Sequence, residues 1–434
     1  MKDVTALILA AGVGKRFWPL TYSKSLFAFA GEPLVLTTMH RLLSAGVKKF
    51  VVVAAPQDRG AIESFSLPGA VVSVVEQHEA SGMGDAILLA AEQMEAGPVV
   101  ILNAHDYVDE GLYESILAHT KDGVAFVVGK KVDSYIDVGY LRVDGERLLE
   151  IVEKPGAGRE PSDLVNLMFH FFPDIGELAS VIRGVTTQRD DRYEVGVSRY
   201  LESNRVNVFS YSGPWQPLKY PWHILDMLPH FLGELRSKKG RNVVIAKNVV
   251  IEGEVVIEDD VRIFENTKII GPCYIGKGTI IGNNNIIRES YIGEGCVTGF
   301  NTDITRSWVG DKSWFHSNYI GDSVIAGDVS LGGGTKLANL RLDDGEVYSV
   351  IGGKKVNTGR TKFGAVVGAG VRMGVNASIM PGVKIGTGSF IGAGVILDKD
   401  LPEDSFCYAR PGYEVKPNTK KSSSAARDAF KTKL

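Results

Sequence analysis

The chain has 434 residues, and its 48 Lys and Arg against 51 Asp and Glu leave a net charge of −3, so no basic excess calls for a nucleic-acid partner. Its 44% hydrophobic and 23% charged residues describe an ordinary globular chain, long enough for two or three domains. Cys273, Cys296 and Cys407 have neither metal-ligand spacing nor a disulfide framework, and no apolar run is long enough to span a membrane or reads as a secretory leader, so buried thiols and a cytoplasmic location are expected.

The apolar run Val4 to Ala11 reads as a buried parallel strand, closed by a tight turn at Gly12 and Gly14. Backbone N–H groups of such a turn can close on an anion, and Lys15, Arg16 and Lys24 bring three cations to the same loop. The pattern is Gly-x-Gly-x-Arg, which fits neither a dinucleotide fingerprint nor a P-loop. It predicts a cradle for a polyphosphate, the alternative being an ordinary turn with solvated basic residues.

Strands are then predicted over 50–55, 71–76, 99–103 and 124–129, alternating with helices over 34–45, 86–96 and 112–119. This alternation gives a Rossmann-like, doubly wound α/β domain with ligands at the carboxyl ends of its strands. Gln77, Gly82, Asp106 and the Glu153-Lys154 pair all follow predicted strands, and Asp144-Gly145 reads as a hairpin turn.

The run from Leu9 to Arg16, then Pro19-Leu-Thr21 and Lys24, resembles the signature of sugar-1-phosphate nucleotidylyltransferases, and the likeness extends over about residues 1–230. The resemblance implies a nucleoside triphosphate and a sugar 1-phosphate as substrates. Ala11, Gly12, Gly14, Lys15, Gln77 and Gly82 would contact the nucleotide, with Arg16 and Lys24 as catalytic cations. Asp106 would hold Mg²⁺, while Glu153, Lys154 and Asn166 would hold the sugar phosphate. Three departures stand out. Ser23 and Ser25 replace the prolines that usually flank the lysine, and His105 replaces the glycine before Asp106. In Trp215-Gln-Pro-Leu-Lys219, Pro217 stands where the family has a second metal-binding aspartate and Lys219 where it has glycine. These departures keep open a nucleotide-sugar sensor or a scaffold.

After a linker helix expected over 230–243, isoleucine recurs every six residues from Ile245 through Ile251, Ile257, Ile263, Ile269, Ile275 and Ile281 to Ile287. A second phase runs Val367, Met373, Ile379, Ile385, Ile391, Leu397. A six-residue period matches neither helix nor strand, and it predicts a triangular parallel β-helix over 244–410. The repeat resembles the hexapeptide acyltransferases, which implies a left-handed coil and a homotrimer. Ser313 to Asp322 and Leu331 to Asn339 resemble the acetyltransferase half of bifunctional sugar-nucleotide enzymes, implying acetyl-CoA as donor. His316 would then be the base, with Tyr319 and Asn339 holding the sugar. Gly345 and Tyr348 stand where relatives carry lysines, so a structural coil with a local His–Tyr contact is the alternative. Lys416, Lys420, Lys421, Arg427, Lys431 and Lys433 make 411–434 read as a mobile basic tail.

Overall fold

A computed structural model describes residues 3–431 apart from 13, 80, 188–190, 411, 413, 420–424, 426, 427, 429 and 430. Lys420, Lys421, Arg427 and Lys433 of the expected tail lie outside the described residues, whereas Lys416 is exposed and pairs with Glu414 at 3.0 Å.

The amino-terminal half is built on a nine-stranded sheet in the order Val71–Glu76, Lys49–Ala54, Thr5–Leu9, Val99–Asn103, Leu164–Phe172, Ala125–Lys131, Val206–Ser210, Arg147–Glu153, Gly139–Asp144. The first four strands are parallel, and the inner three consist of nearly continuous apolar runs, as burial on both faces demands, while Val71–Glu76 is a partly exposed edge. Leu164–Phe172 then runs antiparallel to both its neighbours, so the sheet is mixed rather than doubly wound throughout. The chain leaves Thr5–Leu9 toward one edge and later returns to its other side with Val99–Asn103. The crevice at this reversal is where ligands of open α/β sheets sit.

The expected elements are present with shifted ends. The helix anticipated at 86–96 is Met83–Ala91, entered through Gly82 at φ +100°. The linker helix anticipated at 230–243 is His223–Gly233, and Lys238–Lys239 already pairs with Val256–Ile257 in the coil. Pro229 lies inside this helix. Burying Ile224, Leu225, Met227, Leu228, Phe231 and Leu232 outweighs the roughly 3 kcal/mol that an interior proline costs.

The carboxyl-terminal half is a three-faced coil of short parallel strands. Successive coils step by 18 residues, so that Lys268 pairs with Ile286, and Ile263, Ile269, Ile275, Ile281 and Ile287 fill the interior at no more than 1% exposure. Ile245 and Ile251 are 37% and 38% exposed, because they belong to the first coil, whose outer end carries no further coil. The corners take left-handed backbone, commonly at Asn or Asp: Asn248, Asn266 and Asn284 all have φ near +58°. From the end of the first phase at Ile287 as far as Leu337 the coil is not broken. It steps by 17 and then 16 residues, with Ile286 opposite Asp303 and Asp303 opposite Tyr319, which is why the six-residue count loses its register there. The true interruption is the excursion between Leu337 and Val366, which carries the hairpin Tyr348–Ile351 with Lys354–Asn357.

The two halves share a core. One coil face presents the stacked rings of Tyr274, Tyr291 and Trp308, with centroids 5.0 and 5.3 Å apart. Against it pack Phe27, Phe29 and the helix His223–Gly233. Trp308 Nε1 donates to the Ala28 carbonyl at 2.9 Å, Trp18 Nε1 donates to Glu403 at 3.1 Å and Thr387 Oγ1 donates to the Pro19 carbonyl at 3.4 Å. The segment that follows the glycine loop is therefore seated on the coil.

Candidate active sites

At the carboxyl ends of the parallel strands, Ala11, Gly12, Gly14, Lys15, Gln77 and Gly82 line one cavity of about 370 Å³. All six residues expected to contact a nucleotide thus meet in one place. Gly14 has φ +60°, which a residue with a side chain adopts only under strain. Gly12 differs: a Cβ built there meets nothing within 4 Å, so its absence leaves room for a ligand rather than relieving a clash. Gln77 is buried and donates through Nε2 to the Gly82 carbonyl at 3.1 Å, which fixes the amide at the entry of the next helix.

A second cavity of about 170 Å³ adjoins the first, the two sharing Met83, Asn103 and His105. It holds Asp106, Glu153, Lys154 and Asn166 as expected, together with Asp137, Trp215, Pro217 and Lys219. Another cavity of about 610 Å³ lies at the opposite, amino ends of the strands, against Thr5, Lys49 and Pro98, away from this chemistry.

Charge is distributed unevenly around Asp106. Its Oδ2 accepts from Trp215 Nε1 at 3.1 Å, and its Oδ1 lies 3.9 Å from His105 Nε2. Burial brings the His105 pKa down to about 4, so the ring is neutral near pH 7. Burial also lowers Lys24 to about 8, with the Asp106 carboxylate pulling the other way. Lys219 is likewise lowered to about 8 by burial, against the pull of Asp137 and Asp106. Arg16 Nη1 pairs with Asp137 Oδ2 at 3.2 Å, and Lys154 Nζ with Glu153 Oε1 at 2.6 Å. For Lys154 burial opposes the charge, but Glu153 more than compensates and raises the pKa.

Asp106, Asp137, Glu153 and Glu194 line this cavity, but Asp137 and Glu153 are engaged by Arg16 and Lys154, and residue 217 gives Asp106 no carboxylate partner. Pro217 faces Asp106 across the antiparallel pair Trp215–Pro217 with Asp106–Val108, and among the described residues no cluster of three or more His, Cys, Asp or Glu could hold an ion. Asp106 therefore suits a Mg²⁺ that brings most of its ligands with it as nucleotide phosphate and water.

Asn166 is positioned by groups the sequence did not point to. Its Oδ1 lies 2.8 Å from His170 Nε2, and His170 Nδ1 lies 2.5 Å from the Tyr193 hydroxyl. His170 is fully buried and its pKa is lowered to about 3 by that burial, so the ring is neutral. With Tyr193 donating to Nδ1, Nε2 carries the hydrogen and Asn166 accepts it. The asparagine's NH₂ is then free for a ligand hydroxyl. Lys219, Asp137 and His170 lie far apart in sequence and carry no shared motif. Only Lys219 left a trace, as the departure next to Pro217.

On the coil, the Tyr319 hydroxyl donates to Asn339 Oδ1 at 3.3 Å, and Asn339 Nδ2 donates to the buried Asp322 at 2.5 Å. Arg306 grips the same carboxylate at 2.7 and 2.8 Å. Two of the three residues expected for acetyl transfer are thus joined directly, and Asn339 is held in turn by Asp322, which the sequence did not single out. His316 is exposed, against Gly299 and Gly333; a Cβ at Gly299 would come within 3.1 Å of its Nδ1. The Tyr319 hydroxyl is held by Asn339, not by the imidazole.

Residues 5–212 match the family described as nucleotidyl transferase. A bifunctional sugar-1-phosphate nucleotidylyltransferase/acetyltransferase from Sulfurisphaera tokodaii is 33% identical over 421 residues, covering 92% of this chain and 99% of that protein. The chain belongs to this bifunctional family. A bifunctional protein GlmU from Methanococcus vannielii is 29% identical over 426 residues, 93% of this chain and 97% of that one. Among solved structures, a UDP-glucose pyrophosphorylase with UDP-glucose bound aligns with 52% of this chain and 96% of its own at 17% identity and TM-score 0.47.

Proposed function

We propose that the chain joins a nucleoside triphosphate to a sugar 1-phosphate, releasing pyrophosphate and forming a nucleotide sugar. The observation that carries this reading is the meeting of the two cavities at Met83, Asn103 and His105. It sets the glycine-loop cradle beside a pocket with Lys154, Asn166 and, next to the shared His105, Asp106. An oxygen of the sugar phosphate attacks the α-phosphorus in line, the bond to the β-phosphate oxygen breaks, and pyrophosphate leaves with that electron pair. Gln77 and Gly82 receive the base, and Asn166 and Glu153 receive sugar hydroxyls. Lys154 anchors the sugar phosphate. Arg16 and Lys24 stabilise negative charge as it shifts between oxygens. Mg²⁺, when bound, neutralises phosphate charge, and Asp106 is the residue that would hold it. The test is pyrophosphate release across a panel of nucleotides and sugar 1-phosphates.

The second site supports acetyl transfer from acetyl-CoA to an amino-sugar phosphate. His316 takes the amine proton as its nitrogen attacks the thioester carbonyl, and coenzyme A leaves as the thiol. Tyr319 and Asn339, locked by Asp322, orient the sugar. This half-reaction is tested with His316→Ala, expected to abolish acetyl transfer while leaving nucleotidyl transfer intact. We further propose that the coil is left-handed, that three copies associate through its two uncovered faces, and that the protein is cytoplasmic. Phe300, Trp314, Phe390, Ile396 and Phe406, each more than half exposed on the coil, support the association.

A further inference from the structure

We infer that Lys219 is a phosphate-binding cation of the transfer site, doing by a fixed ammonium what a protein-held metal arm would otherwise do. The inference rests on the nucleotidyl-transfer reading above.

The local backbone sets the geometry. Trp215–Pro217 runs antiparallel to Asp106–Val108 with Pro217 directly opposite Asp106, and side chains of directly opposed residues share one face. A carboxylate at 217 would stand beside Asp106; proline supplies no ligand. Two residues later, Lys219 turns into the same cavity, and its ammonium donates to the Asp137 main-chain carbonyl.

The pairing of charges singles this lysine out. Arg16 is neutralised by the Asp137 carboxylate and Lys154 by Glu153. Among the described residues, Lys24 and Lys219 donate hydrogen bonds to main-chain carbonyls and to no carboxylate, and the carbonyl that Lys24 uses, at 3.5 Å, belongs to Lys219 itself. Each ammonium carries three N–H donors, so each retains donors for an oxyanion. With Asp137 and Glu153 already engaged by Arg16 and Lys154, two such cations beside Asp106 favour an incoming phosphate and disfavour a bare divalent ion. A divalent ion reaches Asp106 only when it is already wrapped in the negative charge of a triphosphate.

Both halves of the inference are measured on nucleotide-free protein. Mn²⁺ binding is followed by the electron paramagnetic resonance signal of the free ion, and inorganic pyrophosphate binding by calorimetry. Wild-type protein is expected to leave the Mn²⁺ signal unchanged and to bind pyrophosphate. Lys219→Met is expected to bind pyrophosphate about tenfold more weakly, as for loss of one charge-assisted hydrogen bond, and Lys219→Arg to recover most of it. Equal melting temperatures for the three proteins would show that the fold is intact. Tight Mn²⁺ binding by the wild type without nucleotide, or equal pyrophosphate affinity for wild type and Lys219→Met, would overturn the inference. Neither measurement needs turnover. A wild type that binds pyrophosphate through Lys219 yet makes no nucleotide sugar would refute the enzymatic reading and leave the anion contact standing.

Discussion

Lys24 and Arg16 differ in how they are held. Lys24 is half-buried with a lowered pKa and a main-chain partner, whereas Arg16 is half-exposed and shared with Asp137. Replacing either with alanine removes a cation from the transferred phosphates and is expected to lower turnover about a hundredfold or more. Steady-state pyrophosphate release measures it, and wild-type rates in both variants would remove the loop from the mechanism. Pro217→Asp places a carboxylate opposite Asp106 and is expected to lower the Mg²⁺ needed for half-maximal rate. An unchanged Mg²⁺ titration would show that residue 217 does not face the metal. His170 gives a pH prediction with a definite sign. Its folded pKa of about 3 lies below the ordinary value of 6.5, so below pH 6.5 the unfolded chain takes up a proton that the folded chain refuses. Stability is retained above that pH and lost as it falls, by about 2 kcal/mol at pH 5 from this group. Urea unfolding at pH 7 and pH 5 should show a correspondingly smaller acid penalty for His170→Gln. At this scale the sequence revealed residues that sit in local motifs, such as Gly14, Lys24 and Asp106. It did not reveal Asp137, His170 or Asp322, whose roles come from contacts made across the fold.

The strands and helices around the site were legible because burial on both faces writes apolar runs directly into the sequence. The antiparallel reversal at Leu164–Phe172 was not, since strand direction leaves no mark on composition. The six-residue period identified the coil but lost count where steps shorten to 17 and 16 residues, although Ile304, Val309, Ile320 and Ile325 still point inward with no exposure. The period also treats every isoleucine alike, while position along the coil decides its energetic weight. Ile287→Ala, fully buried between coils, should cost about 2–5 kcal/mol, and Ile251→Ala, 38% exposed in the first coil, clearly less. Paired denaturation curves check this ordering; similar losses would mean that the first coil is covered by something else.

In the whole molecule the coil serves as the seat of the nucleotide half. Phe27 lies 4.2 Å, ring to ring, from Trp308, and the residues between Arg16 and Phe29 touch the coil at Trp308, Thr387 and Glu403. A shared core of this kind should melt as one unit. Trp308→Ala is expected to destabilise both halves together by about 3–5 kcal/mol, seen as a single calorimetric transition moved to lower temperature. Two separate transitions would show that the halves fold independently. With one coil face covered by the nucleotide half, association is left to the other two, and light scattering should report three copies. A monomer at micromolar concentration would contradict that assembly.

The most direct measurement is pyrophosphate release by the wild-type protein, with each common nucleoside triphosphate paired in turn with a set of sugar 1-phosphates in the presence of Mg²⁺. The account predicts release that depends on one preferred pair and disappears in Asp106→Ala. A protein that binds a nucleotide in the glycine-loop cavity yet releases no pyrophosphate with any pair would contradict it and mark the chain as a nucleotide-sugar sensor.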